Sequence, residues 1–261
     1  MISEEALMKT QYYEQPYQKE KDYLQEMVLS NIYNELDDSL VFKGGTALSK
    51  FYKSPRFSDD LDFTFVRKGR KAAAVIKEKL GFISSGKGFE YSIRTMRNYE
   101  GSGRLNYELS IGGPLLEMLG KYQHLKIEVN MKDQVMQPTE TIRRDSKYPD
   151  VSPYIAVVMS RKEILAEKVD ALLFRHNPKA RDLFDLSFLI KEDTEVNAGF
   201  IERKLEGTGR RFAVETFARR MDAIGNIWEK ELRRLIPQES WIEYDEAKRT
   251  LSESLTAAGM L

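Results

Sequence analysis

The 261-residue chain carries 41 Lys and Arg against 41 Asp and Glu, and 41% of its residues are hydrophobic. That balance fits a soluble globular protein of one large or two modest domains and gives no whole-chain bias toward nucleic acid or membrane. With no cysteine and two histidines, His124 and His176, it has no disulfide, thiolate nucleophile or multi-histidine metal cage; any metal must be held by oxygen, which suits Mg²⁺, Mn²⁺ or Ca²⁺.

The opening "MISEEALMKTQYYEQ" lacks the apolar segment of a secretory leader. No apolar run approaches the roughly 20 residues that span a bilayer. The expectation is a cytoplasmic protein with no membrane partner. Leu24, Met27, Val28, Ile32 and Leu36 recur at helical spacing and predict an amphipathic helix over about 18–36. "SLVFKGG" reads as a short strand ending in two glycines, and "TALSKFY" as a helical turn closed near Pro55. "FSDDLDFTFV" alternates as a strand, and "RKAAAVIKEKLGF" reads as a helix.

Residues 90–112 read as a β-hairpin around "EGSG", and "HLKIEVNM" as a further strand. From about residue 155 the pattern turns helical. Ser160, three residues before Glu163, forms a capping-box arrangement for "RKEILAEKVDALLFR", and Asn177-Pro178 precedes "KARDLFDLSFLIK". "QPTETIRRDSKYPDVSPY" collects Pro, Ser and Thr and reads as a boundary. The expected organisation is an α+β domain over 1–150, with a mixed sheet and flanking helices, and a helical domain over 151–261.

The chemistry concentrates in "VFKGGTALSKFYKSPRFSDDLDFTF". On a strand, Leu61, Phe63 and Phe65 share one face, leaving Asp60, Asp62 and Thr64 on the other. The Cα atoms of Asp60 and Asp62 are then about 7 Å apart, within reach of one or two divalent ions. Asp59 projects the other way, toward water. "KIEVNM" repeats the design, with Lys126, Glu128 and Asn130 opposite Ile127, Val129 and Met131. If the two strands are neighbours, Glu128 becomes a third carboxylate. Upstream, Gly44 and Gly45 let backbone approach a phosphate, and the helix start at Thr46 offers unpaired N–H groups. An ordinary solvated sheet face accounts equally well for the D-x-D alone, and a plain turn for the glycines alone. Their combination is more specific than either.

That combination resembles the nucleotidyltransferase superfamily of the DNA polymerase β type. More narrowly, "VFKGGTALSKFY…RFSDDLDF", followed by "EILAEKVDALLFR" and "ARDLFDLSFLI", resembles the AbiEii/AbiGii (MenT-like) toxin family over roughly residues 20–192. The resemblance implies a nucleotidyltransferase-type mixed sheet and a C-terminal helical bundle. Gly44, Gly45 and Thr46 would meet the nucleotide phosphates, with Arg56 and Ser58 beside them. Asp60, Asp62 and Glu128 would hold Mg²⁺ or Mn²⁺, and Lys168 would match the family's essential lysine. Asp182 or Asp185 would match its acid in R-D-x-x-D, a choice the motif leaves open.

The implied reaction transfers NMP from an NTP to an acceptor, in the family the 3′ end of a tRNA, by a toxin silenced by a separately encoded antitoxin. Alternatives are nucleotidylation of a protein or small molecule, and a non-catalytic nucleotide-binding regulator. Independently of the resemblance, Ile164, Lys168, Ala171 and Arg175 share one helical stripe, on which a lysine commonly snorkels from a packed surface. Arg181 and Asp185 are spaced as a surface ion pair. The Arg pairs at 210–211, 219–220 and 233–234 are compatible with an RNA partner without requiring one.

Overall fold

A computed structural model describes residues 2–10, 13–35, 39–66, 92–101 and 103–261, with 74 and 78 as isolated positions. The helix expected over "RKAAAVIKEKLGF" lies outside the described residues. The chain divides into two compact units, Met1–Ala47 with Ser58–Met159, and Leu48–Phe57 with Ser160–Leu261.

The first unit holds helices α1 (Glu4–Met8), α2 (Pro16–Glu35) and the short α4 (Leu116–Leu119), the start of α3 (Gly44–Phe51), and seven strands. The strands are β1 (Leu40–Lys43), β2 (Leu61–Phe65), β3 (Ser92–Gly101), β4 (Arg104–Gly112), β5 (Gln123–Asn130), β6 (Glu140–Arg144) and β7 (Tyr154–Val158). Among the described residues they form one mixed sheet ordered β3-β4-β5-β2-β1-β7-β6. β2 lies parallel to β5 and antiparallel to β1, while β1 lies parallel to β7.

Alternation decides the faces. Leu61, Phe63, Ile127, Val129, Leu105, Tyr107, Phe42 and Val158 are buried, and their registers place them on one side. Helix α2 lies against that side. The Tyr33 hydroxyl lies within hydrogen-bonding reach of Val157 O at 3.0 Å and Leu40 O at 3.2 Å, and its ring tilts against Phe63 with centroids 6.4 Å apart.

Two features are not visible locally. The segment rich in Pro, Ser and Thr carries β6 and leads into β7, so the sheet continues to Val158. And α2 is not amphipathic in its first half, since Lys19, Glu20, Lys21, Asp22, Gln25 and Glu26 are buried together with Tyr23 and Leu24. One cause explains both. Buried charge needs partners, and the 115–154 stretch supplies them. Glu20 accepts from Leu115 N at 2.6 Å and Gln123 Nε2 at 2.9 Å; Asp22 accepts from the Tyr148 hydroxyl at 2.7 Å and faces Lys147 at 2.8 Å. Glu26 pairs with Arg144 at 2.8 Å and accepts from the Tyr154 hydroxyl at 3.1 Å. Burial raises the Glu20 pKa, against the lowering effect of Gln123 and Leu115 N. A polar segment rich in Pro and Ser is thereby tied into the fold by its Tyr and Arg side chains.

The second unit is helical: the end of α3, then α5 (Arg161–Phe174), α6 (Ala180–Lys191), α7 (Ala198–Gly207), α8 (Val214–Gly225), α9 (Trp228–Leu232) and α10 (Tyr244–Ala257). Ser160 caps α5, its hydroxyl accepting from Glu163 N at 3.4 Å. Helix α6 starts at Ala180, two residues beyond Pro178, and its cap comes from α9: Glu231 accepts from Ala180 N at 2.7 Å and from Lys179 Nζ at 2.8 Å. No described helix is long and apolar enough to cross a membrane.

Candidate functional site

In the first unit the sheet registers assemble one row on the face opposite the apolar core. Asp62 lies opposite Lys43 on β1 and Glu128 on β5, and Glu128 lies opposite Asn106 on β4. The condition set by the sequence, that "DLDF" and "KIEVNM" be neighbours, is met. Glu128 is engaged, however: Arg104 Nη1 and Lys126 Nζ each lie 3.0 Å from its carboxylate. Lys43 pairs with Asp133 at 3.2 Å. No group of three or more His, Asp or Glu among the described residues is drawn together tightly enough to ligate a metal. Past Asp62 the row closes, because Thr64 is fully buried and its Oγ1 has no hydrogen-bond partner.

Gly44 shows why glycine precedes α3. Its φ is +78°, and a Cβ built there would sit 2.7 Å from Asp62 Oδ2. Any other residue meets both backbone strain and the carboxylate. The start of α3 therefore abuts Asp62. Asp60 lies one residue before β2 and is half-buried. Its carbonyl accepts from Thr46 Oγ1 at 2.5 Å. Ser58 and Asp59 offer their carbonyls to Gln25 Nε2 at 2.9 and 3.0 Å. Asp59 is exposed, and Lys21 Nζ stands 3.9 Å from it. Lys21 is buried and also donates to His124 O. Burial lowers the Lys21 pKa, partly offset by Asp59 and Asp60.

The donor chemistry fits a hard divalent cation. Asp60 and Asp62 carry hard carboxylate oxygens, and Gly44 leaves open the space a Cβ would fill against Asp62 Oδ2. Those two aspartates are the residues that would hold it. Glu128 stands in register but is occupied by two cations.

The other anticipated residues gather in the second unit. Arg56 grips Asp185 with two parallel bonds, Nε to Oδ1 at 2.8 Å and Nη2 to Oδ2 at 2.9 Å, and donates to Phe57 O at 2.9 Å. Lys168 Nζ lies 2.7 Å from Asp185 and 3.0 Å from Asp182, and Arg175 Nε lies 3.1 Å from Asp182 Oδ2. Both aspartates are 0% exposed. Burial alone would raise the Asp185 carboxyl, but Arg56 and Lys168 outweigh it and hold it at about 2. Burial likewise works against the Lys168 ammonium, and Asp185 and Asp182 overcome it, so its pKa is raised.

The sequence placed Lys168 and Arg175 on one helical stripe; what it did not reveal is that both reach Asp182. The expected Arg181–Asp185 surface pair gives way to a buried Arg56–Asp185 pair, because Asp185 faces the interior of the unit. His176 lies in the loop between α5 and α6. Sequence reasoning missed Lys21, Gln25, Lys43, Arg104 and Asn106. Hairpin register would have supplied Arg104 and Asn106; nothing local marks Lys21 or Gln25.

The family described as nucleotidyl transferase AbiEii toxin, type IV toxin–antitoxin system, matches residues 28–250. The chain belongs to the AbiEii family. The match runs well past the motif-bearing residues at 20–192, into α10, where the helices carry amphipathic pattern but no chemical signature. Membership makes this AbiEii chain a nucleotidyltransferase-type toxin and implies a cognate antitoxin. No curated protein matches the sequence.

Among solved structures, JHP933 from Helicobacter pylori is 19% identical with a TM-score of 0.60, over 92% of this chain and 90% of that one. A presumed nucleotidyltransferase from H. pylori is also 19% identical, with a TM-score of 0.59, over 91% and 92%. An antigenic nucleotidyltransferase-like protein from Paracoccidioides brasiliensis is 15% identical over 85% and 96%, with a TM-score of 0.47. At these identities the first two show a shared fold.

Proposed function

We propose that this AbiEii chain is a divalent-metal-dependent enzyme that transfers NMP from an NTP to an acceptor hydroxyl, with the 3′ end of a tRNA as the acceptor the family resemblance favours. The observation that carries the reading is the close fit of Gly44 against Asp62, with Asp60 one residue before the same strand. It sets a helix start, able to receive phosphate oxygens on its N–H groups, directly beside a pair of metal-binding carboxylates.

Gly44 and Gly45 receive the triphosphate on backbone N–H groups. Asp60 and Asp62 would hold the cation, and Glu128 stands in register as a further carboxylate. A divalent cation there would neutralise charge on the phosphate oxygens and favour deprotonation of the acceptor hydroxyl. A bond forms between the acceptor oxygen and the α-phosphorus; the bond from that phosphorus to the bridging oxygen breaks; pyrophosphate leaves, and the hydroxyl proton passes to solvent. Lys168, Asp182 and Asp185 stand at positions where the family resemblance assigns functional residues. In this structure they compose one charge cluster.

The test uses α-labelled NTPs with separate tRNA and protein pools. Asp60→Asn and Asp62→Asn are expected to lower transfer by about 10³-fold or more, since each removes a ligand of the electrostatic centre. Undiminished transfer by either variant sinks the assignment. Label appearing on protein instead of tRNA moves the acceptor and leaves the chemistry in place.

A further inference from the structure

We infer that Gln25 and Thr46 are positioning residues for the Asp60 carboxylate, holding it in place through the backbone that carries it. This rests on the reading of Asp60 and Asp62 as the metal-holding pair.

Asp60 precedes the paired residues of β2. The β1 register ends at Lys43 opposite Asp62, and the β5 register begins at Leu61 opposite Ile127. Ser58, Asp59 and Asp60 therefore have no register partner on either neighbouring strand. Buried side chains take over at all three. Gln25 Nε2 reaches Ser58 O and Asp59 O, and Thr46 Oγ1 reaches Asp60 O. Gln25 is 2% exposed and Thr46 1%. Neither donor can swing to water, and loss of either removes a fixed donor from part-buried carbonyls beside the acid.

The two donors come from different elements, Gln25 from the third turn of α2 and Thr46 from the first turn of α3. Helix α2 is locked in place by Glu20, Asp22 and Glu26 on their partners. Its buried polar first half therefore acts as a rigid post for the 58–60 segment. Lys21, 3.9 Å from Asp59, adds a charge on the same side, which gives Asp59 a part in anchoring the segment rather than only facing water. Thr46 has one hydroxyl proton, and it goes to Asp60 O. A phosphate at the start of α3 would then meet backbone N–H groups rather than this hydroxyl.

Residues that orient a metal's ligands reveal themselves in metal affinity. Mn²⁺ binding to the full chain without nucleotide, followed by electron paramagnetic resonance of the free ion, reads this directly. Thr46→Val, isosteric but without the donor, and Gln25→Glu, which sets a carboxylate against two carbonyls, are each expected to raise the Mn²⁺ Kd by about tenfold or more, while Thr46→Ser stays within about twofold of wild type. At saturating Mn²⁺ the KM for NTP should move by less than about threefold, because neither side chain meets the nucleotide.

If Thr46→Val and Gln25→Glu bind Mn²⁺ like wild type while Asp60→Asn loses it, the inference is overturned and the metal pair stands. If Asp60→Asn and Asp62→Asn both bind like wild type, the metal reading falls and the inference with it. Should Gln25→Glu fail to fold, Thr46→Val against Thr46→Ser carries the test alone.

Discussion

Two groups of aspartates in this AbiEii protein show how one residue type is put to opposite uses. Asp60 and Asp62 stand on and beside a strand, half-buried, with a glycine held against one of them. Asp182 and Asp185 stand on a helix, wholly buried, gripped by Arg56, Lys168 and Arg175. The first group is the one proposed to meet an external cation. In the second, the cations are built into the chain. Burial separates the two cases: a half-buried carboxylate on a sheet stays within reach of solvent, whereas one in a helical core must fold together with its counter-ion.

The comparison breaks most readily at Lys168. Lys168→Met leaves two buried aspartates with less compensating charge, and the expected loss of stability is about 3–5 kcal/mol by urea unfolding. A Lys168→Met protein as stable as wild type but inactive would show instead that the lysine is held ready for substrate. Gly44→Ala probes the other group. Its φ of +78° and the contact to Asp62 Oδ2 predict a smaller loss, about 1–2 kcal/mol for the left-handed backbone, together with reduced Mn²⁺ affinity from the displaced carboxylate. Normal Mn²⁺ binding by Gly44→Ala would separate the glycine from the metal pair.

The smallest effect is in acid. Asp185 has a folded value of about 2, below its ordinary 3.8, so its contribution is complete above the ordinary value and is lost as the pH falls toward the folded one. The urea-midpoint difference between wild type and Asp185→Asn should therefore be flat from roughly pH 7 to 5 and shrink between roughly pH 4 and 2. A difference that does not change over that lower range would mean Asp185 is not held ionised by Arg56 and Lys168.

Much of the candidate site was legible because its signals are local. Alternation in "LDFTF" and "KIEVN" separates apolar from acidic faces, and the glycine pair before "TALSKF" announces a tight entry into a helix. Ser160 marked the start of α5 for the same reason, since a cap is read within one turn. Less legible were features whose meaning depends on distant partners. Charged residues on α2 gave its first half the look of a solvated face, and β6 and β7 hid in a stretch that resembled a linker, until Tyr148, Tyr154 and Arg144 were seen to bind the acids of α2.

By itself the sequence determined the strand faces, the glycine turn, the acid pair and the helical character of the C-terminal half, because side-chain period and backbone freedom are properties of a few consecutive residues. Only the tertiary structure decided that Asp62 aligns with Glu128, that Gln25 ties down the backbone before β2, and that Arg56 finds Asp185 across 129 positions. Strand register and the choice of a buried ion's partner are settled by which distant groups leave no charge or hydrogen bond unmet, and no local pattern records that choice.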